Sequence, residues 1–62
     1  MNKKFMDIKE LSVMTGVTMT TIYNWVSQRR IPYVKFGRLV KFDTEKINRW
    51  IEEHAIEPEE FD

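Results

Sequence analysis

A chain of 62 residues, 42% hydrophobic and 32% charged, has the composition of one small globular domain and not of a disordered, collagen-like or membrane-spanning segment. It contains no cysteine, which excludes disulfides, thiolate catalysis and Cys-ligated zinc and fits a reducing, cytoplasmic setting. The formal net charge of +0 conceals a division: all ten Lys and Arg fall within 1–50 beside only four acids, whereas 51–62 hold six acids and no Lys or Arg, so the first fifty residues point to an anionic partner.

The start, Met1 to Asp7, meets an acid before any apolar stretch develops, which is not the pattern of a signal peptide. A first helix is predicted from about Asp7 to Thr15. Asp7 is a good N-cap, Glu10 stands three residues later as in a capping box, and Ile8, Leu11 and the Val13/Met14 pair recur at helical spacing. Gly16 occupies the place of a left-handed C-terminal residue. A second helix is predicted to follow Thr18, its N-cap, and to run to about Gln28 or Arg29. Ile22, Trp25 and Val26 form its inward stripe. Thr20, Thr21, Asn24, Ser27 and Gln28 form the opposite face, and residues 11–28 carry no charge at all. A neutral polar face on a helix suggests hydrogen bonding to a partner, the alternative being an exposed face that is merely uncharged.

Ile31-Pro32 ends this helix, and residues 33–42 read as a hairpin around Gly37. A two-residue loop puts Lys41 on the apolar face. A three-residue loop, Gly37-Arg38-Leu39, gathers Val34, Phe36, Val40 and Phe42 on one face and Lys35 with Lys41 on the other. The hydrophobic pattern therefore favours three residues, with Leu39 exposed near the tip. A third helix follows the N-cap Asp43, with Ile47, Trp50, Ile51 and His54 as its stripe, and is expected to fray near Ala55 to Glu57, ahead of Pro58. The expected organisation is a domain over 1–56 and an acidic, disordered tail over 57–62.

Two short helices joined by a tight turn, a basic hairpin and a packing helix make a winged helix-turn-helix: mainly α, three helices, with a small β-hairpin wing. In such a fold the second helix enters the major groove of double-stranded DNA, where Asn24 is suited to adenine and Met19 or Thr20 to a thymine methyl group. Thr18 and Thr21 stand at the helix N-terminus, which favours a phosphate, although Thr18 is equally explained as a plain N-cap. Tyr23 either bonds a phosphate through its hydroxyl or packs at the helix edge, and Gln28 lies on the same polar face. Arg29, Arg30, Lys35, Arg38 and Lys41 form a basic cluster with no acid among them. Its expected task is to grip the backbone or a minor groove, the alternative being a solvated hairpin edge protected from aggregation by lysines. Trp25, Trp50, Phe36 and Phe42 lie on apolar stripes and are expected in the core, not as base-stacking platforms. His54 has no Cys or second His with which to hold zinc. No Ser, His and acid arrangement and no phosphate-cradling glycine loop is present, so an enzyme and a cofactor are not expected.

These residues also carry a family resemblance. Ile8-Lys9-Glu10-Leu11, Gly16-Val17-Thr18, Thr21-Ile22-Tyr23-Asn24-Trp25-Val26, Arg30-Ile31-Pro32, Val34-Lys35-Phe36-Gly37-Arg38 and Ile47-Asn48-Arg49-Trp50-Ile51 stand in an order and spacing similar to the excisionase/AlpA-type DNA-binding family, related to the DNA-reading domain of MerR-type regulators. The resemblance covers residues 5–52. It implies binding to repeated sites on mobile-element DNA, bending of that DNA, and an integrase or recombinase as partner, or, in the AlpA-like alternative, regulation of a promoter. A monomer in solution that binds adjacent sites cooperatively is expected. A protein-interaction adaptor is the reading from another class. Members of the family often carry Arg where this chain has Met19, Thr20 and Asn24, which moves the electrostatic task to the wing and to Arg29 and Arg30.

Overall fold

The computed structural model describes residues 4–56. Its elements in chain order are β1 (Phe5–Met6), α1 (Ile8–Thr15), α2 (Met19–Ser27), β2 (Val34–Phe36), β3 (Leu39–Asp43) and α3 (Thr44–His54). The three helices and the winged helix-turn-helix arrangement agree with the sequence. The predicted tail, Glu57 to Asp62, lies outside the described residues.

Local chemistry sets the helix ends. The Glu10 N–H donates to Asp7 Oδ1 at 2.7 Å and the Asp7 N–H to Glu10 Oε1 at 3.4 Å, which completes the capping box of α1. Gly16 ends α1 at φ +75°, a backbone conformation that disfavours a side chain, and its N–H donates to the Ser12 carbonyl at 2.8 Å. The turn into α2 is tied by Ser12 Oγ, which donates to the Val17 carbonyl at 2.6 Å. Asp43 caps α3 by accepting from the Glu45 and Lys46 N–H groups at 3.0 and 3.2 Å.

The Asp43 carboxylate is held below the ordinary aspartate range. The largest cause is the Lys46 N–H bond, which outweighs some loss of hydration and is helped by the Lys4 ammonium, 3.6 Å from Oδ2, and by the Glu45 N–H. A carboxyl with a lowered folded pKa stabilises the fold above its unfolded value, and that contribution disappears as the pH falls through the folded one. Urea midpoints of the wild type are therefore expected to drop below about pH 4. Asp43→Asn keeps a capping oxygen and should show a smaller drop than the wild type. Parallel acid limbs for the two proteins would contradict this.

The sheet differs from expectation in two ways. It has three antiparallel strands in the order β1-β3-β2, because Phe5 pairs with Asp43 and Met6 with Phe42 on the far side of β3. The wing pairs Val34 with Lys41, Lys35 with Val40 and Phe36 with Leu39, so its loop is the two residues Gly37-Arg38 and not three. Gly37 has φ +61° and Arg38 does not have a positive φ, the combination found in a type II′ hairpin turn. The expected register assumed one apolar face. The third strand supplies a second, since Phe5 packs edge-on against Phe36 with ring centroids 5.3 Å apart. Phe36 thus packs on Phe5 outside the core, and Lys41 shares its face.

Met6, Leu11, Ile22, Ile31, Phe42 and Ile47 form the buried core, with no buried polar or charged residue among those described. Trp25 and Trp50 are partly buried against it, 5.7 Å apart, and Trp50 Nε1 donates to the Arg30 carbonyl at 3.0 Å. Three expectations of burial are corrected. Val13 and Met14 on α1 are exposed, because the core-facing stripe of that short helix ends at Leu11. Phe36 is 49% exposed, covered only by Phe5. Ile51 and His54 are exposed and line an open, mainly apolar cleft with Met14 of α1 and Trp25 of α2, His54 stacking on Trp50.

Candidate nucleic-acid interface

The inward side of α2 is fixed by Ile22, which is buried, and by Trp25 and Val26, which pack on the core. Helical geometry then turns Thr20, Tyr23, Asn24 and Ser27 outward, and all four are exposed. Met19 is exposed beside them at the first turn. Thr18 is the N-cap: its Oγ1 accepts from the Thr21 N–H at 3.3 Å and its hydroxyl donates to Thr21 Oγ1 at 3.0 Å.

The hairpin turn lies beside this face. Tyr23 of α2, Asp7 and Ile8 at the start of α1, and Arg38, Leu39 and Lys41 of the wing line one cleft of about 380 Å³. The turn therefore places an exposed arginine and an exposed leucine, the latter 61% accessible, on the side of the molecule that carries the polar face of α2. The exposed Leu39 was legible as the residue left over at the wing tip. The contribution of Asp7 and Ile8 to the cleft had no signal in the sequence.

The basic residues are dispersed in space. Lys35 is exposed on the edge strand β2, paired with Val40, whereas Lys41 is half-buried and paired with Val34. The two lysines thus lie on opposite faces of the hairpin and not on one, as the three-residue loop had implied. Gln28 caps the C-terminus of α2, and its Oε1 accepts from Arg30 Nη1 at 3.3 Å, so its amide is turned to a neighbouring side chain. Among the described residues, no group of three or more His, Cys, Asp or Glu is placed to hold a metal ion, and no helix is long and apolar enough to cross a membrane.

Residues 5–55, most of the chain, match the family model described as a helix-turn-helix domain. The chain belongs to this family, that of the excisionase/AlpA-like proteins. It is a small DNA-binding helix-turn-helix protein. No curated protein and no solved structure matches it significantly.

The end of the second helix of this helix-turn-helix domain bears on the site. The Arg30 N–H donates to the Trp25 carbonyl at 2.8 Å and the Arg29 N–H to the Val26 carbonyl at 3.0 Å, the two bonds of a Schellman motif. Arg29 takes the left-handed position at φ +55°, the only non-glycine residue with a positive φ among those described. Glycine is the usual occupant, since a side chain there costs about 1–2 kcal/mol. Arg29 is exposed, so the strained position holds its charge at the surface just beyond the last turn of α2. Arg29→Gly is expected to stabilise the domain by about 0.5–1 kcal/mol after the higher chain entropy of glycine is deducted. The same change should weaken duplex binding. Thermal melts and binding titrations on one preparation check both signs, and unchanged binding would make the arginine incidental.

Proposed function

We propose that this protein is a sequence-specific DNA-binding protein of the excisionase kind, which lays α2 in the major groove and sets the wing on the adjacent backbone or minor groove. It binds repeated sites as a monomer, cooperatively where sites adjoin, and biases an integrase toward excision. The reading is of a binding protein and not of an enzyme. The observation that carries it is the cleft that Tyr23, on the exposed face of α2, lines together with Arg38 of the hairpin turn. A helix in the major groove with a basic hairpin beside it on the flanking phosphates would use both of these elements. The run from Arg29 to Lys41, with five cations and no acid, supplies the charge.

Footprinting on DNA flanking the protein's own gene tests the reading. Protection of repeated sites beside a recombination site is expected, with an affinity that falls steeply as salt rises because bound counterions are released. Protection of a promoter alone would replace excision by transcriptional regulation. Salt-independent retention of duplex would contradict groove and backbone binding.

A further inference from the structure

We infer that α2 reads A·T base pairs, with Asn24 as the adenine-specifying residue and no guanine contact from this helix. The inference rests on the DNA-binding reading above and adds the chemistry of the target. In the major groove, guanine is read most often by an arginine or lysine through O6 and N7, and adenine by an asparagine or glutamine through N6 and N7. Thymine is marked by its methyl group, which accepts apolar contact. The outward face of α2 contains no cation to read guanine. Residues 11–28 are without charge, and the nearest basic residues, Arg29 and Arg30, follow the last helical turn.

Two amides are available on the helix and its cap, and the structure separates them. Gln28 is engaged with Arg30 at 3.3 Å. Asn24 is exposed on the middle of the outward face, and its side-chain amide has no hydrogen-bond partner among the described residues. An asparagine in a helix interior has no advantage in propensity over alanine or glutamine, so helix formation does not account for its place here. One turn N-terminal to it, Thr20 presents a methyl group and a hydroxyl, and at the first turn of the helix Met19 presents an exposed thioether chain; both are suited to thymine methyl groups. Asn24 with Thr20 and Met19 thus matches an adenine next to thymines.

Selection of bound duplexes from a pool with a randomised core tests this, on wild type, Asn24→Ala and Asn24→Arg, with affinities measured at low and moderate salt. The wild type is expected to enrich A·T pairs in the core and to favour adenine at one position by about fivefold to a hundredfold. Asn24→Ala should lose that preference while still retaining duplex with an unchanged salt slope, because the wing is intact. Asn24→Arg should move the preference at the same position to guanine. Enrichment of G·C by the wild type, or the same preferences from Asn24→Ala, overturns the inference and leaves DNA binding standing. Failure of the wild type to retain any duplex at low salt overturns both.

Discussion

Phe42→Ala is expected to leave the chain largely unfolded at room temperature. Phe42 is fully buried, pairs with Met6 across the sheet, and belongs to the one core that α1, α2 and α3 share. Truncating a buried aromatic costs about 3–5 kcal/mol in lost burial and residual cavity. A single core in a domain of this size supplies about 3–5 kcal/mol in total, so the two quantities cancel. Far-ultraviolet circular dichroism with a urea titration reads the outcome. Phe42→Leu, which keeps most of the volume, should retain a cooperative transition at a lower midpoint. A cooperative melt in Phe42→Ala at the wild-type midpoint would mean that the domain is held together elsewhere.

The second large effect concerns the wing. Lys35→Ala with Arg38→Ala is expected to leave the fold intact, since both side chains are exposed. Each lost phosphate contact lowers the slope of log affinity against log salt by about 0.9. The double variant should therefore bind random-sequence duplex with a slope smaller by about two, and roughly tenfold to a hundredfold more weakly at low salt. Because Lys35 lies on strand β2 and Arg38 in the turn, the single variants divide the effect. A loss confined to Arg38→Ala would place only the turn on the DNA, and an unchanged slope in the folded double variant would remove the wing from the interface.

Much of this architecture was legible residue by residue wherever the determinant is local. Asp7 with Glu10, Thr18 and Asp43 cap the helices as their types and spacing indicate, and Gly16 adopts the left-handed conformation that its place demands. The outward face of α2 was legible for the same reason, since Ile22, Trp25 and Val26 fix the phase of the helix. The wing register was not. It depends on β1, two residues long and too short to show a period, which brings Phe5 onto Phe36 from the far side of the sheet. A difference of one residue in loop length was enough to put Lys35 and Lys41 on opposite faces. The strained backbone of Arg29 had no signal, because an arginine at a helix end looks the same in sequence whatever its φ. Nor did any pattern announce that Tyr23 and Arg38 line the same cleft, which depends on how β3 packs against α1.

The central claim is that the exposed face of α2 and the wing engage DNA together. Titration of isotope-labelled protein with a random-sequence duplex at low salt, followed through backbone and side-chain amide resonances, tests it most directly. Shifts are expected at Thr18 to Asn24, including the Asn24 side-chain amide, at Arg29 and Arg30, and at Lys35 to Lys41, with the open apolar side around Met14, Ile51 and His54 unmoved. Shifts confined to Met14, Ile51 and His54, with α2 and the wing silent, would contradict the account.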